Sequence, residues 1–171
     1  FDAWEVMAGQ GTLTRELFAT EPVDTLIACV GGGGLISGCA TVAKALGDVR
    51  VIGVEPAAGD DVKQSLAAGE RVSLSETPAT IADGQQTMSC GDKTFAVMRE
   101  RVDEIVLVTD DEIVAAMRFA FERLNVVLEP SGASALAAVL SGKVDLGGQR
   151  VGVTLSGGNV DLARFSTLTA E

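Results

Sequence analysis

Four glycines in a row, Gly31, Gly32, Gly33 and Gly34, separate a compact apolar run (DTLIACV, 24–30) from a segment with helical spacing over 35–46. Such a run costs chain entropy, because glycine loses more backbone freedom on folding than any other residue. The cost makes sense where several backbone amides must converge on one anion, with the positive end of the following helix adding to the attraction. The plain alternative is a tight strand-to-helix turn with no ligand. Either way the pattern opens a β–α unit.

The rest of the chain repeats that alternation. The spacing predicts helices over 12–19, 35–46 (closed by Gly47), 60–68 (closed by Gly69), 92–101 and 131–140, and a last one from Asp161 onward. Compact apolar runs predict strands over 24–30, 50–54, 104–108 and 151–155. Residues 70–91, with Pro78 and Gly84, read as loop. Thr109 and Glu112 form a capping box, and the helix behind it carries apolar residues at Ile113, Met117, Ala120, Phe121 and Leu124. Glu129-Pro130 reads as the end of that unit. Continuous apolar strands alternating with helices predict an α/β fold of three layers, a mostly parallel sheet with helices on both faces. In such sheets ligands sit at the C-terminal ends of the strands. Two glycine-rich loops fall there: 31–34, and Ser156-Gly-Gly-Asn159. The length of 171 residues suits one domain over 1–171.

Charge and composition exclude several functions. Lys and Arg number 13 against 24 Asp and Glu, a net charge of −11. A surface this acidic repels nucleic acid and anionic membranes, so any anion must be bound locally, by backbone amides or a helix end. No apolar run is long enough to span a membrane, and no signal-peptide pattern opens the chain. There is no histidine, which removes Ser-His-Asp triads and histidine metal sites. Cys29, Cys39 and Cys90 form no CxxC pair and read as reduced thiols of a cytoplasmic protein. Cys29 reads as a small buried hydrophobe.

The glycine run is not a P-loop, which would end in Gly-Lys-Ser/Thr; here Gly34 is followed by Leu35 and Ile36. It also misses the dinucleotide fingerprint, although Glu55 closes the next strand near where a ribose-binding acid would sit. A nicotinamide-binding domain is therefore a rival reading. Ser156 places a neutral hydroxyl at a strand end, able to hydrogen-bond a ring nitrogen. Its loop is equally readable as a helix start at which Asn159 or Asp161 caps.

Six segments occur in order: Val30-Gly-Gly-Gly-Gly-Leu35, Val54-Glu-Pro56, Ile81-Ala-Asp-Gly84, Val108-Thr-Asp-Asp-Glu-Ile113, Leu128-Glu-Pro-Ser-Gly-Ala133 and Leu155-Ser-Gly-Gly-Asn-Val-Asp-Leu162. Together with Gly9-Gln-Gly-Thr12, the set resembles the large, cofactor-binding domain of fold-type II pyridoxal-phosphate enzymes, the serine/threonine dehydratase and serine racemase family. The resemblance implies that Gly31, Gly32, Gly33, Gly34 and Leu35 hold the phosphate of pyridoxal 5'-phosphate. It implies that Ser156 meets the pyridine nitrogen, that Gly84 and Glu129 lie near the cofactor ring, and that Asp83 lies near the amino-acid substrate. Asp83 also reads as a turn former before Gly84, and Glu129 as a helix-end carboxylate. Glu55, Gly59 and Asp61 match the family's divalent cation site. Two carboxylates and a carbonyl suit Mg²⁺ or Ca²⁺, although Asp60 or Asp61 could instead cap the next helix.

The family's Schiff-base lysine lies in a Ser-Phe-Lys-x-Arg-Gly segment that this chain lacks. None of Lys44, Lys63, Lys93 and Lys143 stands in that context. The resemblance implies dehydration and deamination of L-threonine or L-serine to a 2-oxo acid and ammonia in an intact enzyme, with serine racemisation as the alternative, and an inactive chain in isolation. It implies a dimer or tetramer. The short stretch after Leu162 leaves no regulatory domain in view, which favours the short dehydratase or the racemase. The other rival is a non-catalytic fragment that self-associates.

Overall fold

In a computed structural model, which describes residues 1–170, four strands form one sheet: β1 (Thr25–Cys29), β2 (Arg50–Pro56), β3 (Glu104–Val108) and β4 (Val151–Val153). The order is β3-β2-β1-β4 and every pairing is parallel. Seven α-helices surround it among the described residues: α1 (Trp4–Thr20), α2 (Gly34–Leu46), α3 (Asp61–Ala68), α4 (Asp92–Arg101), α5 (Asp110–Phe119), α6 (Pro130–Leu140) and α7 (Leu162–Thr169). Among the described residues no helix is long and apolar enough to cross a membrane.

Strand side chains alternate between two cores, which makes the three layers. Leu26, Ala28, Val51 and Ile105 point to one core, with Ile36, Cys39 and Ala43 of α2 and Met98 of α4. Ile27, Ile52, Val54, Val106 and Val108 point to the other, with Ile113 and Met117 of α5, Ala133 and Ala137 of α6, and Phe165 of α7. Leu26, Ile27 and Ile52 are fully buried. Each such side chain contributes about 1.5–3 kcal/mol by leaving water, which fixes the sheet between its helices. The core is aliphatic, as 4% aromatic residues require.

Four elements differ from the sequence expectation. Helix α1 begins at Trp4 rather than Thr12. Gly9 and Gly11 read as interruptions, yet Gly11 is a packing residue: a Cβ there would lie 2.9 Å from Val42 Cγ2 on α2. Strand β4 stops at Val153, where its register with β1 ends opposite Ile27. Glu129-Pro130 starts α6 instead of ending a unit, with Glu129 in the extended N-cap conformation and Pro130 as the first helical residue, a position where its missing N–H costs nothing. Finally, α5 widens into a π-turn over Ala120–Leu124, closed by Asn125 at φ 56°. The change of pitch leaves Phe121 and Leu124 52% and 45% exposed, while Ile113, Met117 and Ala120 are buried as expected.

The topology locates the binding crevice. From β1 the chain builds β2 and β3 to one side, and β4 is added on the other. The order of the strands reverses between β1 and β4, which is where ligands bind in open α/β sheets, beyond the strands' C-terminal ends.

Candidate active site

Both glycine-rich loops meet at that switch point. The first leaves β1 and enters α2. Gly33 has φ +91° and serves as the N-cap, a left-handed conformation that favours glycine. No backbone or side-chain acceptor among the described residues meets the amides of Gly31, Gly32, Gly33, Gly34 and Leu35. Gly32, Gly33 and Gly34 are nonetheless buried. Buried amides without partners are costly, so a set of them at a helix start fits an anion that accepts from several at once.

The loop is held from behind. Thr94 Oγ1 of α4 donates to the Gly32 carbonyl at 2.7 Å, and a Cβ on Gly33 would lie 2.7 Å from Met98 Cε. On its open side lies the 81–86 segment, a single 3₁₀ turn over Asp83–Gln85. A Cβ on Gly31 would lie 2.9 Å from the Gly84 carbonyl oxygen. Asp83 and Gly84 are exposed at the crevice, and the Gly84 amide donates to Ser131 Oγ at 2.9 Å. Asp110 accepts from Thr80 Oγ1 and from the Ile81 amide, and Arg164 donates to the Ile81 carbonyl at 3.0 Å.

Ser156 follows β4. Its Oγ lies 3.2 Å from Cys29 Sγ at the end of β1, so the hydroxyl stands beside the root of the glycine loop. Burial pushes the Cys29 thiol above its ordinary range, against a lowering by Ser156, and keeps it protonated. Cys29 is thus half-buried at the crevice rather than a plain core residue. Glu129 packs against Gly157, and its amide donates to the Gly157 carbonyl at 3.1 Å. Burial first, and the Asp83 carboxylate second, raise the Glu129 carboxyl above the usual range, with the Asn159 amide pulling it down. Of the two capping alternatives for this loop, Asp161 is the cap: its Oδ1 accepts from the Arg164 amide at 2.8 Å. Ser156 is left free of that duty.

Gly31 through Leu35, Gly84, Glu129, Ser156 and Asp83 therefore line one crevice. Ser131, Thr94, Gln85 and Cys29 join them, although the sequence reading assigns none of the four to it. They reach their partners from 47, 62, 55 and 127 residues away, and no local pattern announces such contacts.

Glu55, Gly59 and Asp61 gather at the end of β2, and their arrangement corrects the capping alternative. Asp60 occupies the N-cap of α3 but makes no side-chain cap bond. Glu55 does that work: its Oε1 accepts from the Val62 amide at 3.0 Å and its Oε2 from the Lys63 amide at 2.9 Å. Burial pushes the Glu55 carboxyl up to about 8 and that of Asp61 up to about 6. Asp61 Oδ2 is buried without a partner. Among the described residues no cluster of three or more His, Cys, Asp or Glu side chains could hold a metal. The unpartnered Asp61 oxygen is the one feature that fits a cation.

No lysine among the described residues serves the crevice. Lys44 pairs with Asp103 at 2.7 Å, and Lys143 with Glu112 at 2.7 Å. Lys93 lies over the Trp4 ring, and Lys63 lines a groove with Arg99, Asp103 and Glu104 at the opposite end of the sheet.

Known proteins share both this sequence pattern and this architecture. The family model described as "Pyridoxal-phosphate dependent enzyme" matches residues 1–157. An L-threo-3-hydroxyaspartate ammonia-lyase of a Pseudomonas species is 45% identical over 98% of this chain and 53% of its own length. The serine racemase of Schizosaccharomyces pombe is 44% identical over 100% of this chain and 53% of its own. The crystal structure of the serine racemase from Dictyostelium discoideum superposes with a TM-score of 0.86 at 42% identity, covering 95% of this chain and 52% of the other. A crystal structure of a bacterial threonine deaminase, its source abbreviated T.th., superposes with a TM-score of 0.91 at 46% identity, covering 95% of this chain and 61% of the other. The chain thus spans about half the length of the curated relatives it matches. With the unbonded amides, the neutral hydroxyl and the switch-point crevice already in place, these matches show that the chain belongs to the pyridoxal-phosphate dependent enzyme family, fold type II.

Proposed function

We propose that this chain supplies the cofactor cradle of an enzyme that eliminates water and ammonia from a 3-hydroxy amino acid, L-threonine or L-serine, to leave a 2-oxo acid. The observation that carries the reading is the set of unbonded amides at Gly31, Gly32, Gly33, Gly34 and Leu35, in a loop whose root adjoins Ser156. The amides would hold the cofactor phosphate without adding a charged side chain to an acidic surface. The Ser156 hydroxyl would meet the ring nitrogen as a neutral partner. When bound, the cofactor supplies the electron withdrawal that labilises a Cα proton. Glu129, held toward its protonated form by burial and by Asp83, is placed to keep a proton at the ring's edge, and Asp83 borders the space left for the substrate.

Serine racemisation is the second reading, supported by the 44% identical racemase of S. pombe. The full-length protein separates the two. Ammonia and 2-oxo acid formed from L-serine, L-threonine or L-threo-3-hydroxyaspartate support the lyase. D-serine formed faster than pyruvate supports the racemase. Neither product, with no cofactor absorbance, would sink both. For Glu55, Gly59 and Asp61, the partnerless Asp61 oxygen supports a divalent cation. A rise in melting temperature with Mg²⁺ or Ca²⁺ that Asp61→Asn abolishes would bear this out, and no rise would remove it.

A further inference from the structure

We infer that Gln85 is a positioning residue: its buried side-chain amide ties the root of the glycine cradle to the loop that carries Asp83, so that phosphate affinity depends on it. The inference rests on the cofactor reading above.

Gln85 is 2% exposed. Its Nε2 donates to the Val30 carbonyl at 2.8 Å and to the Val54 carbonyl at 2.9 Å. Val54 is already satisfied, since its carbonyl also accepts from the Val30 amide. Val30 is not: it stands where β1 leaves the sheet, and no backbone amide among the described residues reaches its carbonyl. The carbonyl of Val30 belongs to the same peptide unit as the Gly31 amide, the first of the cradle. Fixing that carbonyl therefore fixes the direction of the amide.

The backbone of the same residue closes the 3₁₀ turn, its amide donating to the Ala82 carbonyl at 2.9 Å. A Cβ on Gly31 would lie 3.4 Å from Gln85 Cα, so the two loops touch at this point. Asp110, Ser131 and Arg164 anchor the loop elsewhere, but Gln85 carries its link to the cradle.

The second observation is a cost. Gln85 Oε1 is buried and has no partner. A side chain present only to fill this space would better be apolar, because an unsatisfied buried acceptor is unfavourable. The amide is explained by its two donors. Replacing Gln85 by methionine, similar in length and without donors, removes the orphan oxygen while leaving the Val30 carbonyl unpaired. These changes offset in stability and do not offset in cradle geometry.

The test uses full-length protein and two ligands, pyridoxal 5'-phosphate and pyridoxal, titrated by absorbance or intrinsic fluorescence. Gln85→Met should lower affinity for the phosphorylated form about tenfold, the effect of one lost anchoring hydrogen bond with its orphaned partner, and change pyridoxal affinity less than about twofold. Melting temperature should move little. If Gln85→Met does not fold, Gln85→Leu is judged by the same ratio of affinities. A ratio equal to that of the unmodified protein overturns the inference alone. An unmodified protein with no preference for the phosphorylated form overturns the functional reading, and this inference with it.

Discussion

The ends of β1 and β2 are the same structural problem solved twice. Each strand feeds a loop and then a helix whose first amides lack intrahelical acceptors. At β2 the protein supplies its own anion: Glu55 reaches forward along the chain to take the Val62 and Lys63 amides. At β1 it supplies none. Gly31 to Gly34 carry no side chain that could fold back, and the amides at the start of α2 are left without protein acceptors among the described residues. One β–α unit is closed and structural; its neighbour, beside the strand-order reversal, is open. The difference teaches that a glycine run marks a ligand site by what it withholds.

The contrast can be broken from either side. The largest effect should come from Gly33→Ala, which places a Cβ at φ +91° and 2.7 Å from Met98 Cε. Strain of about 1–3 kcal/mol at such a position converts to roughly 5- to 150-fold in affinity for the phosphorylated cofactor, measured by titration of the full-length protein. Next, Glu55→Ala should lower stability by about 2 kcal/mol in a denaturant titration, since two helix amides lose their acceptor and relief of a buried carboxyl repays part. The same variant should keep the affinity ratio of pyridoxal phosphate to pyridoxal. Glu55→Gln, which retains one acceptor, should cost less. Ser156→Ala should weaken both forms of the cofactor alike, by about fivefold, the worth of one neutral hydrogen bond. The smallest effect belongs to Cys29→Ala, under about threefold for either ligand, because the one side-chain hydrogen bond its thiol makes is to Ser156.

Legibility follows the same division. What depends on neighbours in sequence is readable. The strand Glu104–Val108, the helix Asp92–Arg101, the Thr109–Glu112 capping box and the Gly69 cap all stand where the pattern places them. The glycine run identifies its own loop. What depends on distant packing is not readable. Gly9 and Gly11 look like breaks in α1 until the close approach of α2 to Gly11 gives a reason for it. Pro130 reads as a stop although it suits a first helical position equally well. Glu55 reads as a ligand or a ribose acid, because nothing in the spacing shows a carboxylate capping a helix from the end of the preceding strand. Gln85, Ser131 and Thr94 hold the crevice together through contacts that only the fold creates.

The most direct test of the open cradle is to locate phosphorus in crystals of the full-length protein grown with pyridoxal 5'-phosphate. The account predicts phosphate oxygens about 3 Å from the amide nitrogens of Gly31 to Leu35, with the ring nitrogen facing Ser156. A phosphate found elsewhere, with those amides turned to water or to protein acceptors, would contradict it.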